Sequence, residues 1–283
     1  MGFRIVHGTP QMIWAPVLND DTLYEGQIVR ARDEGVAPLH QAMNANDSAS
    51  KSVAELIQGS CSSGGQAVFG VVVGTNLRTP TFDGTYNQAS IAWATPPAAT
   101  TETYFGVEGP WAKGDTQAMV KVALLDSSII LRGEVRNSSS VVTTGMTVGT
   151  LTASTGVTAT TATMGVTTVQ NFSTLYWRSG TNAGTYRILT SASPTTHTWD
   201  NSVANSTGTS EMNGDTVVTC NLRPIGPSRM QLSNEALWID GSAAVTADYF
   251  AVDVIRLDLS EAGREYADFR FTPAAFDGFK TTT

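Results

Sequence analysis

The sequence predicts an all-β protein: a small β-barrel-like base domain carrying an inserted second β domain, a sandwich or a barrel. Three observations predict it. Short runs rich in Val, Ile, Thr and aromatics alternate with Gly, Pro, Asn and Asp along the chain, which is the grammar of strands and turns. Only one segment carries helical punctuation. The composition also shifts at Asn137 and returns after Cys220, as it does where one folding unit interrupts another.

The elements follow in chain order. "QMIWAPVL" and "TLYEGQIVRA" read as strands on either side of the Asn19-Asp20-Asp21 turn. "SKSVAELIQG" reads as the one helix, within residues 50–59. Ser52 and Glu55 have capping-box spacing there, and Gly59 is a natural stop. "AVFGVVVG", "ASIAWA", "ETYFGVEG", "AMVKVALL" and "SIILRGEV" are short strand-like runs, with Asp83-Gly84 and Lys113-Gly114-Asp115 as turns. Residues 141–170 hold twelve Thr and no charge, and the whole of 137–221 carries five charges: Arg178, Arg187, Asp200, Glu211 and Asp215. Thr and Val stiffen χ1 and suit a pleated surface, so this stretch reads as many short strands. "TLYWRSG" and "GTYRILTS" read as a hairpin across "SGTNAG". Beyond Cys220, "EALWIDGSA", "DYFAVDVIRLDLS" and "GREYADFRF" read as further strands. Residues 1–136 and 222–283 are therefore expected to form one discontinuous domain, and 137–221 the insert.

The totals narrow the function. The 283 residues are 41% hydrophobic and only 15% charged, with a net charge of −8 and four lysines. An acidic, lysine-poor chain lacks the cationic footprint of a nucleic-acid binder. Its longest apolar run, Ala67–Gly74, falls far short of the length that spans a bilayer. The first residues lack an apolar core of signal-peptide length, so synthesis and folding in a cytoplasm are expected.

No catalytic constellation emerges. His7, His40 and His197 lie apart, without metal-ligand spacing. Cys61 follows the expected helix C-terminus, where the dipole disfavours a thiolate. With Cys220 so distant in sequence, two buried thiols or a single bridge remain the options. Asp248 and Asp258 alternate onto one strand face and Asp253 onto the other, so they form no close pair. Asp200, Asp215 and Asp240 sit at turns, where Asp is favoured for backbone reasons. No cofactor is expected.

Two groups of residues stand out as contact candidates. In the charge-poor N-terminal segment, Phe3, Ile13 and Trp14 are apolar anchors for reaching a neighbouring protein. In the hairpin, Tyr176, Trp177, Arg178, Tyr186 and Arg187 combine aromatic area with polar tips. They suit the core of a charge-poor β domain, a subunit interface or stacking on a glycan.

"LYWRSGTNAGTYRILTSAS", followed by "HTWD", resembles a hairpin of virion structural proteins of tailed bacteriophages. "LYEGQIVRARDEGVAPLHQA", followed by "FGVVVG", resembles the small barrel of phage head-decoration (cement) proteins. In that family an x-x-G-x-x-V strand precedes one ending in GVV. The resemblance implies a non-enzymatic homotrimer made in the host cytoplasm, bound to the major capsid protein on the virion exterior and stapling capsomers. The inserted 137–221 departs from the minimal family pattern. The alternative is a glycan- or receptor-binding adhesin module of a phage tail or fibre.

Overall fold

The computed structural model describes residues 2–16, 25–32, 35–38, 68–75, 119–137, 146, 148–152, 161–164, 173–192, 196–203, 214–228, 230–233, 236–242 and 252–276. The helix expected within 50–59, the strands expected at "ASIAWA" and "ETYFGVEG", and His40, Cys61 and Asp248 lie outside these residues. What is described is all-β. Its helical structure is one 3-10 turn, Pro273–Ala275, opened by proline where the missing N–H costs nothing. By compactness the chain divides into two units: Met1–Arg132 with Asn234–Trp238 and Phe271–Thr283, and Gly133–Ser233 with Ile239–Arg270.

In the first unit, five antiparallel strands form an open sheet. Its order is β2 (Met12–Pro16), β6 (Met119–Leu124), β5 (Gly70–Thr75), β3 (Ile28–Arg32) and β4 (Gly35–Pro38). Alternation puts Ala15, Val29, Val72, Val120 and Val122 on one buried face, while Lys121 between the two valines is exposed. A bulge in β5 between Val72 and Gly74 bends the sheet. Gly70 is needed there for close approach, since a Cβ would lie 2.2 Å from Val122 Cγ1.

A second sheet runs β1 (Arg4–His7), β7 (Ile130–Arg136), β17 (Tyr266–Phe271), β16 (Val252–Asp258) and β14 (Gly226–Ser228), with β15 (Ile239–Asp240) pairing parallel to β7. Leu131, Val135, Val254, Phe269 and Phe271 are among its buried side chains.

The remaining strands close a six-stranded barrel. They are β8 (Val148–Thr152), β9 (Thr161–Met164), β10 (Thr174–Trp177), β11 (Tyr186–Ala192), β12 (Thr196–Trp199) and β13 (Thr216–Cys220), in the order β10-β11-β12-β9-β8-β13. Closure removes the unpaired strand edges that a sheet exposes. Leu175, Trp177, Leu189, Trp199, Val203 and Val217 fill the interior. The two indoles meet edge to face, with centroids 5.4 Å apart and planes at 83°, the arrangement their quadrupoles favour.

The two chain ends of the barrel meet beside β7. The Asn221 N–H donates to Gly241 O, the Gly241 N–H donates to Arg136 O, both at 2.8 Å, and Asn221 Nδ2 donates to Asp240 O at 2.9 Å. The chain therefore leaves β7 at Arg136 and comes back beside it at Asn221. Only glycine fits at 241: a Cβ would lie 2.6 Å from Val135 Cγ1 and 2.9 Å from Met146 Sδ.

Candidate functional site

The N-terminal anchors do not act together. Phe3 is 4% exposed, and its N–H donates to Gly26 O at 2.7 Å. Gly2 and Gly26 touch backbone to backbone, because a Cβ on Gly2 would lie 2.5 Å from Gly26 Cα. This contact seats Phe3 in the core, and it corrects the expectation of a projecting anchor. Ile13 is corrected too, since alternation turns it inward onto the open-sheet cluster. Trp14 is 40% exposed and stands on the other face, beside Lys121 in the paired register. Met12 shares that face and is 45% exposed. Sequence reasoning missed Met12, although its i, i+2 spacing from Trp14 was the signal that finds it. Among the described residues β2 is the last hydrogen-bonded strand of its sheet, and its Met12 and Trp14 form an apolar-cationic strip with Lys121 of β6.

The hairpin residues are brought together, but inward. Trp177 is 0% exposed in the barrel core, and its Nε1 has no hydrogen-bond partner. A sealed indole can neither stack on a sugar nor reach a neighbouring subunit, so of the three readings Trp177 follows the core and the other two are corrected. Tyr176 is buried against Tyr186, with ring centroids 4.5 Å apart.

The polar tips of the hairpin form a latch onto the turn between β16 and β17. Tyr186 Oη donates to Leu257 O at 2.9 Å, and Arg178 Nε donates to Leu259 O at 2.7 Å. Arg178 Nη2 pairs with Glu265 Oε1 at 2.5 Å, and the Met146 N–H donates to the same oxygen at 3.1 Å. Both partners of this ion pair are buried, so each charge depends on the other. Burial pushes the Tyr186 phenol up to about 12, against the pull of the Leu259 N–H, so it stays a neutral donor. Arg187 turns away and ties the next loop, donating to Asn201 O and Ser202 O at 3.0 and 2.7 Å. The five hairpin residues thus hold this chain together and leave no aromatic platform open to a glycan.

The carboxylates serve turns and surface pairs. Asp126 Oδ1 accepts from Ser128 Oγ and N–H, which holds its carboxyl below the usual range. Asp240 Oδ1 likewise accepts from Ser242 Oγ and N–H, and Asp258 Oδ1 from Ser260 Oγ and N–H. Burial works against the Asp258 carboxylate, but Ser260 and Arg256 outweigh it and keep its pKa low. Asp253 pairs with Arg270 at 2.8 Å. Among the described residues, no group of three or more His, Cys, Asp and Glu side chains is placed to hold a metal ion. None of their helices is long and apolar enough to cross a membrane. Cys220 is a free, buried thiol, pushed up to about 12 by burial and so without thiolate character.

No family model matches the chain, and no curated protein or solved structure matches it either.

Proposed function

We propose that this chain is a non-enzymatic structural protein of a virion, a homotrimer that seats on the exterior of an icosahedral phage capsid and bridges neighbouring capsomers. The observation that carries the reading is the strip made by Met12 and Trp14 of β2 with Lys121 of the neighbouring β6. Two large apolar side chains side by side on an outer strand favour contact with another protein. The net charge of −8 disfavours the DNA-filled interior, where like charges would repel. The two stretches resembling phage head and virion proteins supply the object that is bound. The mechanism is binding alone. Contacts that exist only on the assembled shell stabilise it by mass action. Three copies of one weak strip act together through effective concentration. The major capsid protein is the partner, and neither nucleic acid, membrane nor cofactor takes part.

The insert belongs to the same proposal. Residues 137–221 leave and rejoin beside Gly241, so replacing them with a short linker, with Glu265→Gln to neutralise the buried carboxylate that loses Arg178, should leave a soluble, folded remainder.

The test is a binding assay with purified heads of the phage that encodes the chain. Met12→Ser/Trp14→Ser should lose at least about tenfold in head binding, equivalent to about 1.4 kcal/mol, while remaining folded and trimeric. Unchanged binding, or virion density that places the chain inside the head or only on the tail tip, overturns the proposal.

A further inference from the structure

His197 lies on β12 with Ala162 opposite it on β9 and Ala192 opposite it on β11. It is 1% exposed, and its Nδ1 has no hydrogen-bond partner. Strand alternation puts it on the same face as Trp199, which belongs to the barrel core. The imidazole therefore sits in the barrel wall between small residues, directed toward an apolar filling.

The six strands of the barrel offer it no counter-charge. The ionisable side chains on its six strands are Tyr176, Tyr186, Arg187, His197 and Cys220. Tyr186 is neutral and occupied by Leu257 O, and Arg187 is a cation held by loop carbonyls. The Cys220 thiol is neutral. The nearest acid along the chain, Asp200, is exposed, and its carboxylate accepts the Ile188 N–H at 3.1 Å. Among the described residues these six strands therefore carry no carboxylate, and the buried Asp215 lies just outside them, before β13 and against Gly180 beyond the Trp177 end of β10.

We infer that His197 makes the barrel an acid-triggered element: a proton on this side chain places an unpaired cation in a wall whose strands carry no carboxylate, and opens the barrel. Only histidine changes charge in mildly acidic water without prior perturbation. Burial alone holds this imidazole below its ordinary 6.5. The sign follows from linkage. As pH falls below about 6.5, the opened chain takes up a proton that the closed barrel refuses, so stability is lost in that direction. The inference stands on the barrel alone and does not depend on the capsid reading.

The experiment follows amide hydrogen exchange of the full chain between about pH 8 and about pH 5, the span over which an ordinary histidine titrates. After correction for intrinsic exchange rates, opening within 148–220 should rise about tenfold for each unit by which the pKa is depressed. The open sheet of β2 to β6 should not follow. His197→Gln should remove the rise, and His7→Gln, at an exposed position, should not. If His197→Gln fails to fold, an NMR titration of the wild-type imidazole decides. A His197 that stays neutral below about pH 6 supports the inference, and one that titrates at the ordinary value of about 6.5 overturns it. An exchange rise that persists in His197→Gln, or that is uniform along the chain, also overturns it.

Discussion

The open sheet of β2 to β6 and the barrel of β8 to β13 are built from the same alternating strands, yet they place their strand tryptophans in opposite ways. The open sheet buries Ala15, Val29, Val72, Val120 and Val122 and leaves Trp14 at its edge. The barrel takes two tryptophans and two leucines into its centre. A closed wall encloses a volume that small residues cannot fill, so it demands large side chains. A sheet that ends at β2 has a last strand with one face to spare. The contrast teaches that in this molecule the capacity for contact follows the edge and not the aromatic content.

The sharpest way to break the comparison is to truncate one tryptophan in each region. Trp177→Ala should cost about 3–5 kcal/mol, because a fully buried indole leaves a cavity. Trp14→Ala should cost under about 1 kcal/mol, as surface changes usually do. Urea unfolding followed by circular dichroism measures both, and equal losses would end the distinction.

Next in size is the latch. Glu265→Ala strands the Arg178 guanidinium and the Met146 N–H without their acceptor. Removing one partner of a buried pair should cost about 3–5 kcal/mol. The exposed pair of Arg256 and Asp258 is the internal control, and Arg256→Ala should cost at most about 1 kcal/mol. Comparable losses in the same unfolding assay would mean that the latch is not energetically special.

A smaller test sits at the barrel rim. Gly180 and Gly184 both have positive φ, +76° and +87°, but a Cβ at 180 would lie 1.9 Å from Asp215 Oδ1 while one at 184 meets nothing. Gly184→Ala should cost about 1 kcal/mol of backbone strain. Gly180→Ala should cost more, because the buried Asp215 must also move. Equal midpoints for the two variants would remove the steric claim.

The smallest effect is expected at Asp215 itself. Burial raises its pKa above the usual 3.8, and its Oδ2 has no hydrogen-bond partner. A raised carboxyl favours the folded state in acid, and that contribution is lost as pH rises past about 3.8 and through the folded value. Asp215→Asn should match the wild type in acid and exceed it near neutrality. A variant that is less stable at both ends of a pH-dependent thermal melt would show that the carboxylate is needed charged.

Much of this was legible in the residues. Alternation in "AMVKVALL", "SIILRGEV" and "DYFAVDVIRLDLS" located β6, β7 and β16, because a strand with one buried face must repeat every second residue. Asp240, read as a turn residue, is instead the last residue of β15, paired with Arg136, although its carboxylate does bind the Ser242 N–H beyond the strand. Met12 was within reach of the same alternation. Phe3 was not, because an apolar residue in a charge-poor stretch looks alike whether it projects or folds back. The contact between Gly2 and Gly26 decides which.

By itself the sequence determined the all-β character, since β-branched runs and turn residues act locally. It also determined the change of composition near Asn137. Only the tertiary structure decided which aromatic residues are sealed. Trp14 and Trp177 occupy similar strands, and nothing within a few residues of either tells them apart. The difference comes from the pairing of β13 with β8, Val218 with Val148, which closes one sheet into a barrel. Such a pairing joins strands far apart along the chain through backbone groups that every residue possesses, so its register is written in no single segment.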